Sequence, residues 1–337
     1  MTPPRGARVL RLATRGSPLA LVQADIVARL IEARGDGVRT ERVVVHTEGD
    51  RRQGEELDQI GGQGVFVKEV QAALLDGRAD VAVHSAKDLP PRTPDGLLLA
   101  AVPQRADPRD ALVGATLDAL APGAVVATGS ARRRAQLANL RPDLGFVGLR
   151  GNMATRLARA GAGDGDGTVA AVVAAAAALD RLGLEDRIAE RLSPLQCLPQ
   201  VGQGALALEC RLDDEGCREL LGHLDVPADH RALVAERAFL RALGAGCAVP
   251  AGAWARPATA GGHTAGGDDL GGDDLGGDLL EIDGMLASGD GRVLVRGRLR
   301  GADPEALGAA LARRLVHDRG AGSLEEWEEG AVGAASA

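Results

Sequence analysis

The chain has 337 residues, enough for two or three domains. Its hydrophobic content of 45% can fill buried cores, and with no Tyr, three Phe and two Trp those cores must be aliphatic. The formal net charge of −8 excludes a protein whose whole surface binds nucleic acid. Any basic site must therefore be local.

The cysteines and the apolar stretches limit the classes further. None of the four cysteines lies in a C-x-x-C pair, so the sequence predicts neither a metal site nor a disulfide framework. The basic start of the chain lacks the apolar core of a signal peptide, and no stretch reaches the roughly 18 apolar residues of a membrane span. We expect a cytoplasmic protein with reduced thiols and no membrane partner.

Strand and helix patterns alternate over the first hundred residues. A strand at 8–14 precedes a helix with Ser17 as its N-cap and Pro18 as its first residue. The apolar face of that helix is predicted to hold Leu19, Val22, Ile26 and Leu30. A strand, a GGQG turn, a helix and another strand follow at 39–47, 61–64, 65–77 and 79–85. This order predicts a parallel sheet with helices on both faces.

The alternation restarts after residue 103. Three strand–helix pairs are predicted, the first made of AVVATGS and ARRRAQLANL at 124–140. VGQGALALEC, at 201–210, has the pattern of one more strand, which can return to the first unit. The rest is α+β: a helix at 229–243, a hairpin over 279–301 and a final helix at about 304–319. Its Gly/Asp-rich stretch at 258–278 predicts a flexible surface insertion.

Ionisable side chains follow the buried strand at 81–83. His84, Ser85, Lys87 and Asp88 come together there, before two prolines that forbid a regular continuation. Asp88 can act as a general acid or base, or can stabilise a cation formed during a reaction. On spacing alone, an ion pair with a neighbouring cation explains it about as well. His84 is interpreted as a structural residue at the strand end.

Arginines recur where the other predicted strands end. Arg132, Arg133 and Arg134 occupy the first turn of a helix that Ser130 should cap, although cations there oppose the helix dipole. A solvated face explains them, but an anion site is favoured because the arrangement recurs. The recurring positions are Arg15 beside Ser17, Arg150, Arg156 and Arg181. Several arginines at one cleft indicate a ligand with several carboxylates or phosphates, whereas nucleotide-binding motifs are absent.

Cys247 lies in a glycine-rich segment, GAGCAVPAG. Cysteine is most often a small hydrophobic residue, whereas crowded small neighbours suggest that something bulky approaches the thiol. The spacing leaves both interpretations open.

Nine segments together closely resemble the porphobilinogen deaminase family. They run in family order across about 12–250: RLATRGSPLAL, GGQGVFVKE, ADVAVHSAKDLP, DPRDAL, TGSARRRAQL, LRGNMATRL, LDRLGLEDRI, VGQGALALECR and GCAVP. The resemblance implies two α/β domains of the type II periplasmic-binding-protein kind and a smaller α+β domain. The implied ranges are 1–103 with 201–222 for domain 1, 104–200 for domain 2 and 223–337 for domain 3.

The resemblance also implies the chemistry. The family joins four porphobilinogen molecules into hydroxymethylbilane on a dipyrromethane cofactor, which a thioether would attach to Cys247. The implied catalytic residue is Asp88, which would assist loss of ammonia from porphobilinogen and stabilise the resulting azafulvenium cation. The implied cofactor-binding residues are Lys87, Asp88, Thr128, Ser130, Arg132, Arg133 and Arg156. The implied substrate-binding residues are Arg15, Ser17, Arg150, Arg156 and Arg181. A monomer is expected.

Three positions depart from the family pattern. Gln59 and Gln63 stand where many relatives carry lysine, and Ala248 replaces a commonly polar neighbour of the cysteine. The main alternative function is a non-enzymatic cytoplasmic binding protein for polyanionic small molecules, which would have no use for Cys247. A nucleic-acid binder that uses ARRRAQLANLR is disfavoured by the acidic chain and its few aromatic residues.

Overall fold

The structure is a computed structural model that describes residues 8–34, 37–45, 67–149, 151–161, 168–244, 250–258 and 279–318. The strands in these ranges are β1 Val9–Arg15, β2 Arg39–Val45, β3 Val81–Ser85, β4 Leu97–Ala101, β5 Asp110–Val113, β6 Val125–Ala127, β7 Gly145–Val147, β8 Val169–Ala175, β9 Ile188–Arg191, β10 Leu206–Arg211, β11 Ala251–Pro257, β12 Leu280–Ala287 and β13 Leu294–Gly301.

The helices in the same ranges are α1 Pro18–Glu32, α2 Lys68–Leu75, α3 Ala131–Leu140, α4 Met153–Leu157, α5 Ala176–Arg181, α6 Glu215–Gly222, α7 Pro227–Leu243 and α8 Pro304–Arg313. Short 3-10 turns occupy Ala86–Asp88 and Glu185–Arg187, and a π turn, Arg314–Asp318, follows α8. Among these described helices, none is both long enough and apolar enough to cross a bilayer.

The chain divides into two compact units. Unit 1 comprises Met1–Ala106 and Ala205–His230, and unit 2 comprises Asp107–Gly204 and Arg231–Ala337. The sheet of unit 1 has the order β2-β1-β3-β10-β4. Strands β1, β2 and β3 are parallel, as predicted, whereas β10 runs antiparallel to both of its neighbours. The return of the chain to the first unit is therefore confirmed.

Helix α1 begins where the sequence predicts, but the residues that it buries are not the predicted ones. The Ser17 hydroxyl accepts a hydrogen bond from the Ala20 N–H, and Pro18 is in the first turn. The residues buried on α1 are Gln23, Ala24, Val27 and Ile31, whereas Leu30 is 40% exposed. The predicted apolar stripe was wrong by about one position, because the polar Gln23 takes an inward place.

Unit 2 contains two sheets. The first has the order β7-β6-β8-β5-β9, in which β6 is parallel to β7 and β8, and β5 is antiparallel to both neighbours. It thus repeats the pattern of strand directions of the sheet in unit 1, with one reversed strand next to an edge, although that strand comes last along the chain in unit 1 and first in unit 2. The second sheet is the antiparallel β11-β12-β13, which includes the predicted hairpin of β12 and β13.

The antiparallel sheet packs against α7 and α8. Phe239 and Leu311 are fully buried in one core with Ile282, and a Cβ at Gly284 would lie 2.7 Å from a Leu311 methyl carbon. A larger residue there would have to displace the Leu311 side chain within this core, so glycine suits the close approach of helix and strand. Two α/β sheets with the same pattern of strand directions and an α+β part confirm the expected fold class. The division into three domains stays a prediction.

Candidate functional site

The carboxyl ends of β1 and β3 meet in unit 1. These strands are parallel neighbours, with Leu12 paired with Val81 and Ala13 with Ala82. Arg15 and Ser85 therefore end adjacent strands, at the edge where parallel sheets bind ligands.

A cavity of about 50 Å³ opens at this edge. Its lining includes three residues with a predicted catalytic or substrate-binding role, Arg15, Ser17 and Asp88. The polar residues Gln23, His84 and Ser85 line it as well. The structure thus brings the predicted catalytic residue together with two predicted substrate-binding residues. We call this space the Asp88 cavity.

The turn that carries Asp88 is fixed by the backbone. Ala86–Asp88 forms one turn of 3-10 helix directly after β3, and the Ala86 N–H donates to the Ala205 carbonyl, just before β10. The Leu89 N–H closes the turn on the Ala86 carbonyl. Lys87 and Asp88 are both half-buried. Strand β10 therefore supports the loop on which Asp88 is presented.

Gln23 is a lining residue that sequence reasoning missed. Its amide donates to the Ser85 hydroxyl at 2.8 Å, and that hydroxyl lies 3.0 Å from the Gln23 amide oxygen. A polar residue on the buried face of α1 would have indicated a role in the site. It was missed because the predicted buried face did not include Gln23.

A buried carboxylate lies next to His84. Nε2 of His84 is 3.1 Å from Oε2 of Glu209 on β10, and neither side chain is more than 4% exposed. The Gln71 amide donates to the same carboxylate oxygen at 2.9 Å. The interpretation of His84 as a structural residue agrees with this burial, although His84 also lines the Asp88 cavity.

In unit 2, two of the predicted arginines converge on one carboxylate. Arg132 Nη2 lies 2.8 Å from Oδ2 of Asp110, and Arg133 Nη2 lies 2.8 Å from Oδ1. Asp110 is the first residue of β5, and its side chain has no exposed surface. Arg132 and Arg133 are 5% and 8% exposed. We call these three residues the Asp110 cluster.

Neighbouring groups hold the cluster in place. The Gln203 amide donates to Asp110 at 2.9 Å, and Arg133 donates to the Val173 carbonyl at 3.0 Å. Burial would raise the pKa of Asp110, but the charges of Arg132 and Arg133 outweigh burial and hold that pKa well below its usual value. Burial raises the pKa of the Cys197 thiol, 3.3 Å from Asp110, to about 12, so the thiol is neutral at pH 7.

The cluster carries a net positive charge, because two guanidinium groups share one carboxylate. Among the described residues, the buried Nε of Arg132 has no hydrogen-bond acceptor. The cluster also lies at the start of α3, where Ser130 caps the helix through the Arg133 N–H at 3.4 Å. These features fit a group that carries carboxylates.

Other predicted anion-binding residues lie in unit 2. Arg181, at the end of α5, donates to the Gly204 carbonyl at 2.7 Å, and no carboxylate of the described ranges forms an ion pair with it. Burial lowers the pKa of Arg181 to about 10, which leaves it charged at pH 7. Thr128 follows β6 and accepts from the Ser130 N–H at 3.2 Å, while Arg156 donates to the Gly151 carbonyl at 2.8 Å.

Several sequence predictions fall outside the described residues. These are Cys247, Arg150, Gln59, Gln63, Ala248 and all but the first residue of the 258–278 insertion. The roles predicted for all the site residues stay predictions.

Comparison with known proteins gives two family matches. Residues 10–219 match the family model described as porphobilinogen deaminase, dipyromethane cofactor binding domain. Residues 231–317 match the model described as porphobilinogen deaminase, C-terminal domain.

Solved structures are similar at low identity. The methionine binding protein MetQ is 14% identical, with 64% of this chain and 89% of that chain covered and a TM-score of 0.37. A TRAP periplasmic solute binding protein from Pseudomonas putida F1 with bound D-glucuronate is 9% identical, with coverages of 69% and 81% and a TM-score of 0.35. The two family matches together span most of the sequence, and the chain belongs to the porphobilinogen deaminase family.

Proposed function

We propose that the protein is a hydroxymethylbilane synthase. It would join four porphobilinogen molecules head to tail on a covalently attached dipyrromethane and release hydroxymethylbilane. The observation that carries the proposal is the Asp88 cavity, in which a carboxylate faces the same space as Arg15 and Ser17. The Arg15 guanidinium suits an acetate or propionate group of porphobilinogen, and the Asp88 carboxylate suits a cation formed from it.

The substrate chemistry assigns Asp88 its role. The aminomethyl group of porphobilinogen is protonated at neutral pH. When its carbon–nitrogen bond breaks, the electron pair goes to the nitrogen, neutral ammonia leaves and a cation remains on the ring. Asp88 stabilises this positive charge, and it accepts the proton that the attacked ring loses once the new carbon–carbon bond has formed. Arg15, Ser17, Arg150, Arg156 and Arg181 orient the side-chain carboxylates.

The cofactor would be held by one cysteine and by several cationic and polar side chains. A thioether to Cys247 provides the tether, and Lys87, Asp88, Thr128, Ser130, Arg132, Arg133 and Arg156 bind the two pyrrole rings and their carboxylates. When bound, the dipyrromethane supplies the nucleophilic carbon from which the chain grows. The positive charge of the Asp110 cluster supports this assignment, because the dipyrromethane brings several carboxylates. We infer that the protein works as a monomer in the cytoplasm.

The test uses the purified full-length protein. An aldehyde reagent for pyrroles should give a coloured product, and the intact mass should exceed that of the sequence. Absence of colour together with an unmodified mass would contradict the proposal. That result is also what a non-enzymatic binding protein for polyanions would give.

A further inference from the structure

The position of Asp110 is unexpected for a site that is proposed to bind an anion. It is buried between Arg132 and Arg133, the two residues that our proposed function assigns to the carboxylates of the cofactor. A carboxylate at this position repels the anionic ligand that the site must bind. The Asp110 side chain has no exposed surface, so it cannot turn to solvent while the arginines change partners.

The cost of removing Asp110 explains its presence. Two guanidinium groups buried without a counter-ion destabilise a protein strongly, and the positive end of α3 adds to their repulsion. Asp110 neutralises one of the two charges. The remaining charge and the unpartnered Nε of Arg132 keep the cluster attractive to an anion.

The surroundings of Asp110 fix the two arginines. The Gln203 amide and the Cys197 thiol both contact the Asp110 carboxylate, and Arg132 also donates to the Leu198 carbonyl. The stem of Arg132 passes β11, where its Cδ would lie 3.2 Å from a Cβ at Gly252. Gly252 follows Cys247 by five positions in the sequence.

We propose that Asp110 is a positioning residue that stands in for a ligand carboxylate. It holds Arg132 and Arg133 in place in the protein without cofactor, and the dipyrromethane carboxylates take over part of its charge neutralisation when they bind. This inference rests on the proposed function. The protein thereby folds with its anion site formed, before the pyrrole chain is attached.

The inference predicts a coupling between Asp110 and the cofactor. Asp110→Asn keeps the shape of the side chain and removes its charge. In the Cys247→Ala background, which cannot form the adduct, nothing replaces that charge. In the background that carries the adduct, the pyrrole carboxylates compensate for part of it. The loss of thermal stability on Asp110→Asn should therefore be larger without the cofactor, by roughly 4 °C or more in Tm.

The experiment compares four full-length proteins by thermal unfolding: wild type, Asp110→Asn, Cys247→Ala and the double variant. Intact mass confirms which of them carry the adduct. Asp107→Asn is the matched control, because Asp107 is an ion-paired carboxylate whose partners are Arg109 and Arg191. The control should lower Tm equally in both backgrounds.

Each outcome decides the inference. If the double variant does not fold but the Asp110→Asn protein with the adduct does, the inference is supported, because the stability loss is then largest without the cofactor. Equal Tm losses in both backgrounds would overturn the inference, and so would loss of the folded protein in both. An unmodified wild-type mass would count against the proposed function and the inference together, whereas equal losses with the adduct present would count against the inference alone.

Discussion

Nε of Arg133 and Oδ1 of Asp110 lie 2.9 Å apart, although the residues are 23 positions apart in the sequence. This pair has a consequence for acid stability. The folded-state pKa of Asp110 is depressed, so its stabilisation is present above the usual value of 3.8 and is lost as the pH falls through the folded value.

Lowering the pH should therefore reduce the difference in the free energy of unfolding between the Cys247→Ala protein and the same protein with Asp110→Asn added. At pH 7 the derivative should be less stable by about 3 kcal/mol, because two buried guanidinium groups lose their counter-ion. The difference should shrink between roughly pH 4 and pH 2, as measured by urea unfolding. Asp186→Asn, on the exposed 3-10 turn after α5, serves as the control. A difference that does not change with pH would contradict the assignment.

Asp88→Asn should separate cofactor attachment from turnover. The substitution keeps a polar side chain in the cavity and removes the charge that stabilises the substrate cation. We expect the adduct to remain in the intact mass and the rate of porphobilinogen consumption to fall roughly 10²- to 10⁴-fold. Asp95→Asn, an exposed carboxylate before β4, should leave the rate unchanged. Near-normal turnover of the Asp88 variant would remove Asp88 from its proposed role.

Arg181→Leu should weaken substrate binding. Arg181 is partly buried and forms no ion pair with a carboxylate in the described part of the chain, so an anionic ligand is its expected partner. Loss of one charge-assisted contact should lower kcat/KM for porphobilinogen by roughly 10- to 100-fold. Arg187→Leu, at an exposed position nearby in the sequence, is the matched control. An unchanged kcat/KM in the Arg181 variant would argue against a substrate contact.

Gly252→Ala should disturb the Asp110 cluster from the side of β11. A Cβ at this position would lie 2.8 Å from the Pro199 carbonyl oxygen and 3.2 Å from Cδ of Arg132. The backbone at Pro199 or in β11 must therefore shift, and Arg132 must give way slightly. We expect a lower Tm and a smaller fraction of protein with the adduct, measured by intact mass. At Gly222 a Cβ meets nothing within 4 Å, so Gly222→Ala is the control. Full adduct occupancy and an unchanged Tm would show that the strand accommodates the methyl group.

Local signals predicted the elements that frame the site. The sequence predicts the starts of two helices correctly: Pro18 lies in the first turn of α1, and serines cap α1 at Ser17 and α3 at Ser130. These features could be predicted because each depends on a few adjacent residues. The short β5 and the strand β11 were missed, because neither has a clear alternation of polar and apolar residues.

Long-range contacts of the site could not be predicted in the same way. Asp110 meets Arg133 only because β5 lies beside β8 in a sheet whose order is not sequential. His84 lies next to Glu209 because β10, which follows β3 by more than a hundred residues in the sequence, pairs with β3 in the sheet of unit 1. The two residues of each pair are far apart in the sequence, so no local pattern predicts that they interact. Only the folded structure shows these contacts.

The measurement that tests the central claim most directly is the intact mass of the protein after it is mixed with a small molar excess of porphobilinogen. We predict a starting mass raised by two pyrrole units, then a series of heavier species, each larger by one ring and not exceeding four additions. A single unmodified mass before and after mixing would contradict the claim that this chain extends a covalently attached pyrrole chain.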